Sequence, residues 1–144
     1  MIKNVSLVTV YCQDQVATRD FYVDKLGFEP QDDVPMGPDF RWITIRHPDH
    51  PELALTLMIP GPPMDPETAE LFRRTLDRGG LPGVGLTVDD CRRTYEELRA
   101  KDVQFIQPPE ERPYGVEAVA RDNSGNWMVL VEAKEYTGAD FEHA

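Results

Sequence analysis

The chain is short of cysteine, of positive charge and of long apolar runs, and each shortage removes a class of function. Two cysteines, Cys12 and Cys91, occur in 144 residues, and neither belongs to a C-x-x-C pair. A zinc or dithiol redox motif is therefore unsupported. In a reducing compartment both stay thiols and pack as small hydrophobes. Lys and Arg number 15 against 26 Asp and Glu, a net charge of −11. That balance offers phosphates no basic surface, so nucleic acid is not expected as a partner. No apolar run approaches the about 20 residues that span a bilayer. The start, Met1-Ile2-Lys3-Asn4, has none of the parts of a signal peptide. The expectation is a cytoplasmic chain with no membrane partner.

What is present is an ordinary globular balance, 40% hydrophobic and 28% charged, at a length that suits one domain or two small halves sharing a core. "NVSLVTVYC" at 4–12 is β-rich. Asp14 follows as an N-cap, and "QVATRDFYVDKL" spaces Val16, Phe21, Tyr22 and Leu26 as a helix that Gly27 ends. Residues 30–39 read as a turn-rich loop, 40–46 as a strand, 47–51 as a tight proline connection and 52–59 as a buried strand. "PGPPMDP" at 60–66 is the strongest break, and Asp65-Pro66 opens a helix over "ETAELFRRTLDR". The pattern then restarts. A strand at 84–88 precedes a helix, "CRRTYEELRAKD", capped by Asp89 or Asp90. An extended "VQFIQ" leads into a loop, "PPEERPYG", and strands at 116–121 and 127–132 flank the turn "DNSGN".

The order β-α-β-β-β thus occurs twice. Asp14 matches Asp90 at 76 residues, Arg46 matches Arg121 at 75, and Leu55 matches Val129 at 74. Such agreement argues for a duplicated module. The expected domain is a single α+β one over 1–144. It has a βαβββ module at 1–59, a linker with a helix at 60–82, a second βαβββ module at 83–134 and a tail at 135–144, with the two sheets facing each other around a cleft.

"FYVDKLGFE" at 21–29, "VDDCRRTYEELRAKDV" at 88–103 and "RDNSGNWMVLVE" at 121–132 together resemble the vicinal oxygen chelate superfamily of glyoxalases, extradiol dioxygenases and bleomycin-resistance proteins. The resemblance covers almost the whole chain. It implies paired βαβββ modules with curved mixed sheets around a cavity, often completed in a homodimer. It also implies where a metalloenzyme of this kind carries His, Gln or Glu ligands. Counted from the capping aspartates and from the "GN" of the last turn, those places hold Leu7, Gly83, Val129 and, by the repeat, Leu55. None has a donor atom, and a one-residue slip supplies only hydroxyls or a thioether. A divalent ion needs several O, N or S ligands to offset its lost hydration. No metal or other cofactor is expected, and the resemblance in fold does not carry over a metal-dependent activity.

Other clusters are read as ordinary surface. His47, Asp49 and His50 lie in a strand-joining turn, and His143 lies in a terminal tail. Glu110-Glu111, Asp32-Asp33 and Glu96-Glu97 read as solvated faces. No nucleophile elbow or P-loop is present.

By the period of two, a strand face can be drawn through the vacant ligand places. It runs through Val5, Leu7, Thr9 and Tyr11, then Leu53, Leu55 and Leu57, then Gly85 and Thr87, and last Trp127, Val129 and Val131. Such a lining suits a small-molecule pocket and equally a dry core. Arg41 with Trp42 could hold a flat or anionic ligand, although an arginine paired with a neighbouring carboxylate is the plainer reading. Tyr114 is a candidate for the rim. The candidate pocket is therefore Leu7, Thr9, Tyr11, Arg41, Trp42, Leu55, Tyr114, Trp127 and Val129, with a small aromatic or cationic ligand as its expected partner. A metal-free sequestering protein is the favoured expectation. The alternatives are a lyase or oxidoreductase of the glyoxalase or dioxygenase type with relocated ligands, and a non-catalytic dimeric interaction module.

Overall fold

An aspartate opens each α-helix in the computed structural model, which describes residues 1–142; His143 lies outside the described residues. Helix α1 spans Gln15–Leu26, α2 Pro66–Asp77 and α3 Cys91–Ala100. The caps Asp14, Asp65 and Asp90 are extended, and each carboxylate accepts the backbone N–H three residues on, at 3.0, 2.9 and 3.0 Å. Each cap thereby satisfies one of the N–H groups that a helix start leaves without a partner. Gly27, at φ 80°, ends α1 in the left-handed region, where a Cβ is disfavoured. No helix among the described residues is long and apolar enough to cross a membrane.

The chain is α+β and divides into two compact units. One is Met1–Leu81 with Asn123–Gly125, the other Pro82–Asp122 with Asn126–Ala144. The first holds β1 (Leu7–Tyr11), β2 (Glu29–Pro35), β3 (Arg41–His47) and β4 (His50–Met58), in the sheet order β1-β4-β3-β2. The second holds β5 (Pro82–Thr87), β6 (Phe105–Arg112), β7 (Gly115–Arg121) and β8 (Trp127–Ala133), in the order β5-β8-β7-β6. Both sheets are mixed. The β1–β4 and β5–β8 pairs are parallel and the remaining pairs antiparallel. One strand order realised twice is the structural form of the sequence repeat.

Two strands lie where loops are expected. Residues 30–39 contribute most of β2, and "PPEER" belongs to β6. Both are edge strands, where a proline needs no ladder partner for its missing N–H. The ladders shift register at Pro30/Asp32 and Gln107/Glu110, so bulges absorb the prolines that make these stretches read as loops. The "HPDHP" turn is a hairpin in which His47 pairs with His50 and its Nδ1 accepts the Asp49 N–H at 3.1 Å.

Each sheet has one face covered by a helix. In the first unit Arg19 of α1 bridges to Asp33 at 3.0 Å, and Asp33 pairs with Ile43. The α1 side is therefore that of Ile43, Ile45, Leu55, Leu57 and Val10, all buried. In the second unit Tyr95 of α3 meets Phe105 edge-on, with ring centroids 4.7 Å apart, and Phe105 pairs with Ala120. The α3 side is that of Ala118, Ala120, Met128 and Leu130, again buried. Cys91 is buried there too, its Sγ 3.9 Å from the Leu130 carbonyl, and burial pushes its thiol pKa up. These two faces form the cores, leaving each unit one sheet face free of α1 and α3; α2 reaches that of the first unit at Tyr11, through Phe72.

Candidate functional site

Strand register fixes what the faces free of α1 and α3 carry; Thr44 and Thr56 at the centre of the first are buried, whereas Gly85 on the second is exposed. In the first, one cross-strand row runs Thr9, Thr56, Thr44 and Asp32. Leu7 and Ala54 form the next row on one side, and alternation puts Tyr11 with Met58, and Trp42, on the other. In the second, one row runs Gly85, Val129, Val119 and Gln107, with Trp127 and Arg121 to one side and Thr87, Val131 and Glu117 to the other. The strand equivalences make Thr9, Thr56 and Thr44 the counterparts of Gly85, Val129 and Val119.

Four of the sequence-predicted residues share the first face: Leu7, Thr9, Tyr11 and Trp42. Leu7 is 41% exposed, and Tyr11 packs edge-on against Phe72 of α2 at 5.1 Å. Trp127 and Val129 share the second face, Trp127 at 39% exposure with Val129 half-buried beside it. Two others belong elsewhere. Leu55 pairs with Val8 and not with Leu7, so it lies on the α1 side, 5% exposed. Arg46 pairs with Ala54, eight residues on, but Arg121 pairs with Trp127, six on, so the residue equivalent to Val129 is Thr56. Arg41 is separated from Trp42 by the same alternation. Its guanidinium forks onto Asp33, Nε at 2.6 Å and Nη2 at 2.7 Å, on the α1 side. That hydrogen bond, with the charges of Arg41 and Arg19, holds the Asp33 carboxyl below the usual carboxylate range. Arg41 and Trp42 therefore cannot grip one ligand from one face.

The sequence reading passed over a polar cluster on the second face. Glu117 takes the Tyr114 hydroxyl as a hydrogen-bond donor and lies 3.6 Å from the Arg112 Nε. Arg112 Nη2 in turn donates to Gln107 Oε1 at 3.3 Å, and Gln107 Nε2 donates to the Glu117 carbonyl, also at 3.3 Å. The Glu117 side chain is only 14% exposed. Its hydrogen bond raises the Tyr114 phenol above the ordinary tyrosine range. Alternation in "GVEAVAR", counted from Arg121, was the signal for Glu117. On the first face Thr44 was likewise missed: its hydroxyl accepts from the Asp32 N–H at 3.1 Å and donates to the Asp32 carboxylate at 3.0 Å. The Thr56 hydroxyl beside it is buried with no hydrogen-bond partner among the described residues.

Residues 4–130 match the family model described as the Glyoxalase/Bleomycin resistance protein/Dioxygenase superfamily. The chain belongs to that superfamily. Among relatives of this superfamily member is YurT of Bacillus subtilis (strain 168), an uncharacterized protein. It is 32% identical over 128 residues, covering 89% of this chain and 98% of that protein. The crystal structure of UcmS2 is 41% identical with a TM-score of 0.83, covering 92% of this chain and all (100%) of that one. TnmS3, an antibiotic binding protein from Streptomyces sp. CB03234, is 28% identical with a TM-score of 0.72, covering 92% of this chain and 98% of that chain.

The superfamily's metalloenzymes imply a divalent ion, and the residues here do not fit one. By the observed register the central positions of the two faces are Leu7, Thr9, Ala54 and Thr56 in one unit and Gly85 and Val129 in the other. These offer at most isolated hydroxyls. A side chain at Gly83 would also be crowded: a Cβ there would lie 3.1 Å from the Trp127 carbonyl and 3.3 Å from Met128 Cγ. Among the described residues no group of three or more His, Cys, Asp or Glu is placed to hold a metal.

Proposed function

We propose that this protein binds a small, flat, largely apolar molecule on its sheet faces free of α1 and α3 without a metal ion, and sequesters that molecule without transforming it. The observation that carries the reading is Trp127. A large aromatic at 39% exposure shares a strand face with half-buried Val129, two residues on, where Gly85 leaves open space: a Cβ there would meet nothing within 4 Å. Aromatic and aliphatic side chains with few polar groups are what small-molecule sites use, and the polar contacts on hand are Thr87 and the Glu117–Tyr114 pair. The description of TnmS3 as an antibiotic binding protein, at 28% identity, supports the same class of ligand. Self-association is part of the proposal: Val5, Leu7 and Val8, on and beside edge strand β1, leave apolar surface that a second copy would cover.

Both tryptophans, Trp42 and Trp127, lie on these faces, so their fluorescence reports directly on such binding. A panel of aromatic antibiotics should quench that emission and raise the melting temperature with ligand concentration. Trp127→Ala and Gly85→Leu should keep the fold and weaken binding about tenfold or more, the cost of one good aromatic contact or of a filled site. If both variants melt normally and every ligand response is unchanged, the reading is wrong.

A further inference from the structure

A recess of about 200 Å³ opens at the end of the first sheet, where β3 begins and β4 ends. Phe40, Met58 and Pro60 form its apolar wall, with Gln15, Asp39 and Arg41 as its polar side chains. An apolar cavity of about 150 Å³ accommodates benzene, so the volume suits one six-membered ring with a short substituent. Neither Trp42 nor Trp127 contributes to it, although Met58 is shared with the first unit's α1-free face.

Its polar groups point to one kind of ligand. Gln15 donates its two side-chain N–H groups to the Arg41 carbonyl at 2.8 Å and the Leu57 carbonyl at 2.7 Å. Two carbonyl partners fix which end of the amide is nitrogen, and Oε1 remains as an acceptor. The Arg41 guanidinium is engaged by Asp33. Asp39 is exposed, and its carboxylate adds a second acceptor. Asp33 offsets the guanidinium charge while taking two of its five N–H donors, so the charge left uncompensated at the recess is the Asp39 carboxylate, with Gln15 Oε1 as a neutral acceptor beside it, in a chain of net charge −11. We propose that this recess binds a small ring-bearing ammonium compound. The ring lies against Phe40, Met58 and Pro60, and the N–H donors are taken by Gln15 Oε1 and the Asp39 carboxylate. The face of Phe40 adds attraction for the cation.

Titration of the intact isotope-labelled protein with benzylamine tests this, with benzoate as the acceptor-bearing control of similar shape. Saturable shifts are expected at the Gln15 side-chain amide, Phe40 and Gly61, with benzoate at least about tenfold weaker. Asp39→Asn should weaken benzylamine about threefold, as an exposed charge does. Phe40→Ala should weaken it about tenfold, as loss of an aromatic wall does. Gly61→Leu should abolish binding by filling the recess; a Cβ there meets only the Ile59 carbonyl, at 3.8 Å, so the backbone accepts it. Equal affinity for benzoate, shifts confined to other carboxylates, or unchanged binding in both Phe40→Ala and Gly61→Leu would overturn the proposal. None of these outcomes depends on the antibiotic responses of Trp42 and Trp127.

Discussion

On the α1-free face of the first unit the central row is Thr9, Thr56 and Thr44; on the α3-free face of the second the equivalent row is Gly85, Val129 and Val119. Two of the three exchanges are between threonine and valine, side chains of nearly the same shape. The ladders beneath are alike, so the contrast is one of chemistry alone. The first row carries hydroxyls and ends on the Asp32 carboxylate. The second is apolar as far as Gln107 and is flanked by Trp127. One backbone plan thus carries hydroxyls, buried at Thr44 and Thr56, in one unit and a more accessible apolar row in the other. A duplicated fold can specialise its faces while its cores stay interchangeable.

That likeness of cores can be broken most forcefully at Leu57 and its counterpart Leu130, exposed 0% and 1%. Each truncated to alanine should cost about 2–5 kcal/mol in denaturant unfolding. A large cost at one with almost none at the other would show that the helix-covered sides are not equivalent. The helix starts come next. Asp14→Ala and Asp90→Ala should each cost about 1 kcal/mol, because the two caps share one geometry. The row itself is tested by smaller changes. Thr44→Val loses two hydrogen bonds to Asp32 and should cost about 1 kcal/mol. Thr56→Val removes a hydroxyl without a partner and should be neutral or stabilising by a few tenths of a kcal/mol, about the gain from no longer burying it. A cost at Thr56 as large as that at Thr44 would mean the hydroxyl is satisfied after all.

The smallest effect concerns the Asp33–Arg41 pair. The residues at the equivalent strand places of the second unit are Pro108 and Val116, so only the first unit has it. Asp33 has a folded pKa below its ordinary value of 3.8. Its contribution is therefore present above that ordinary value and fades as the pH falls through the lowered one. Melting temperatures followed from neutral pH down to about pH 3 should fall slightly more steeply in the wild type than in Asp33→Asn. Parallel curves would show that this exposed pair adds nothing measurable.

Helix boundaries were legible in the sequence because their signals are local: Asp14, Asp65-Pro66, Asp90 and Gly27 each act within one turn. The duplication was legible for the same reason, through its aspartate anchors. Strands β2 and β6 were hidden because proline normally marks a loop, and only the sheet order shows that these strands are edges. The face of Leu55 was hidden by a difference between hairpins. Arg46 pairs with Ala54, eight residues on, and Arg121 with Trp127, six on, so the offset falls from 75 to 73 and a count of 74 turns the side chain to the opposite face. Bulges also shift the register at Pro30/Asp32 and Arg46/His47. The fork of Arg41 onto Asp33 spans a hairpin whose register depends on those bulges, so no spacing rule announces it.

The prolines of β2 and β6 have one more consequence. A strand with missing N–H groups and a broken repeat is a poor template for another chain, and both sheets carry this defect on the same outer margin. Uncontrolled stacking of sheet upon sheet is obstructed there in both units. The opposite margins are short, β1 of five residues and β5 of six, and β5 is itself opened by Pro82 with a register shift before Gly85. The molecule can therefore be crowded at high concentration with just one short edge per sheet exposed to mispairing, which is a form of aggregation resistance written into its least strand-like segments.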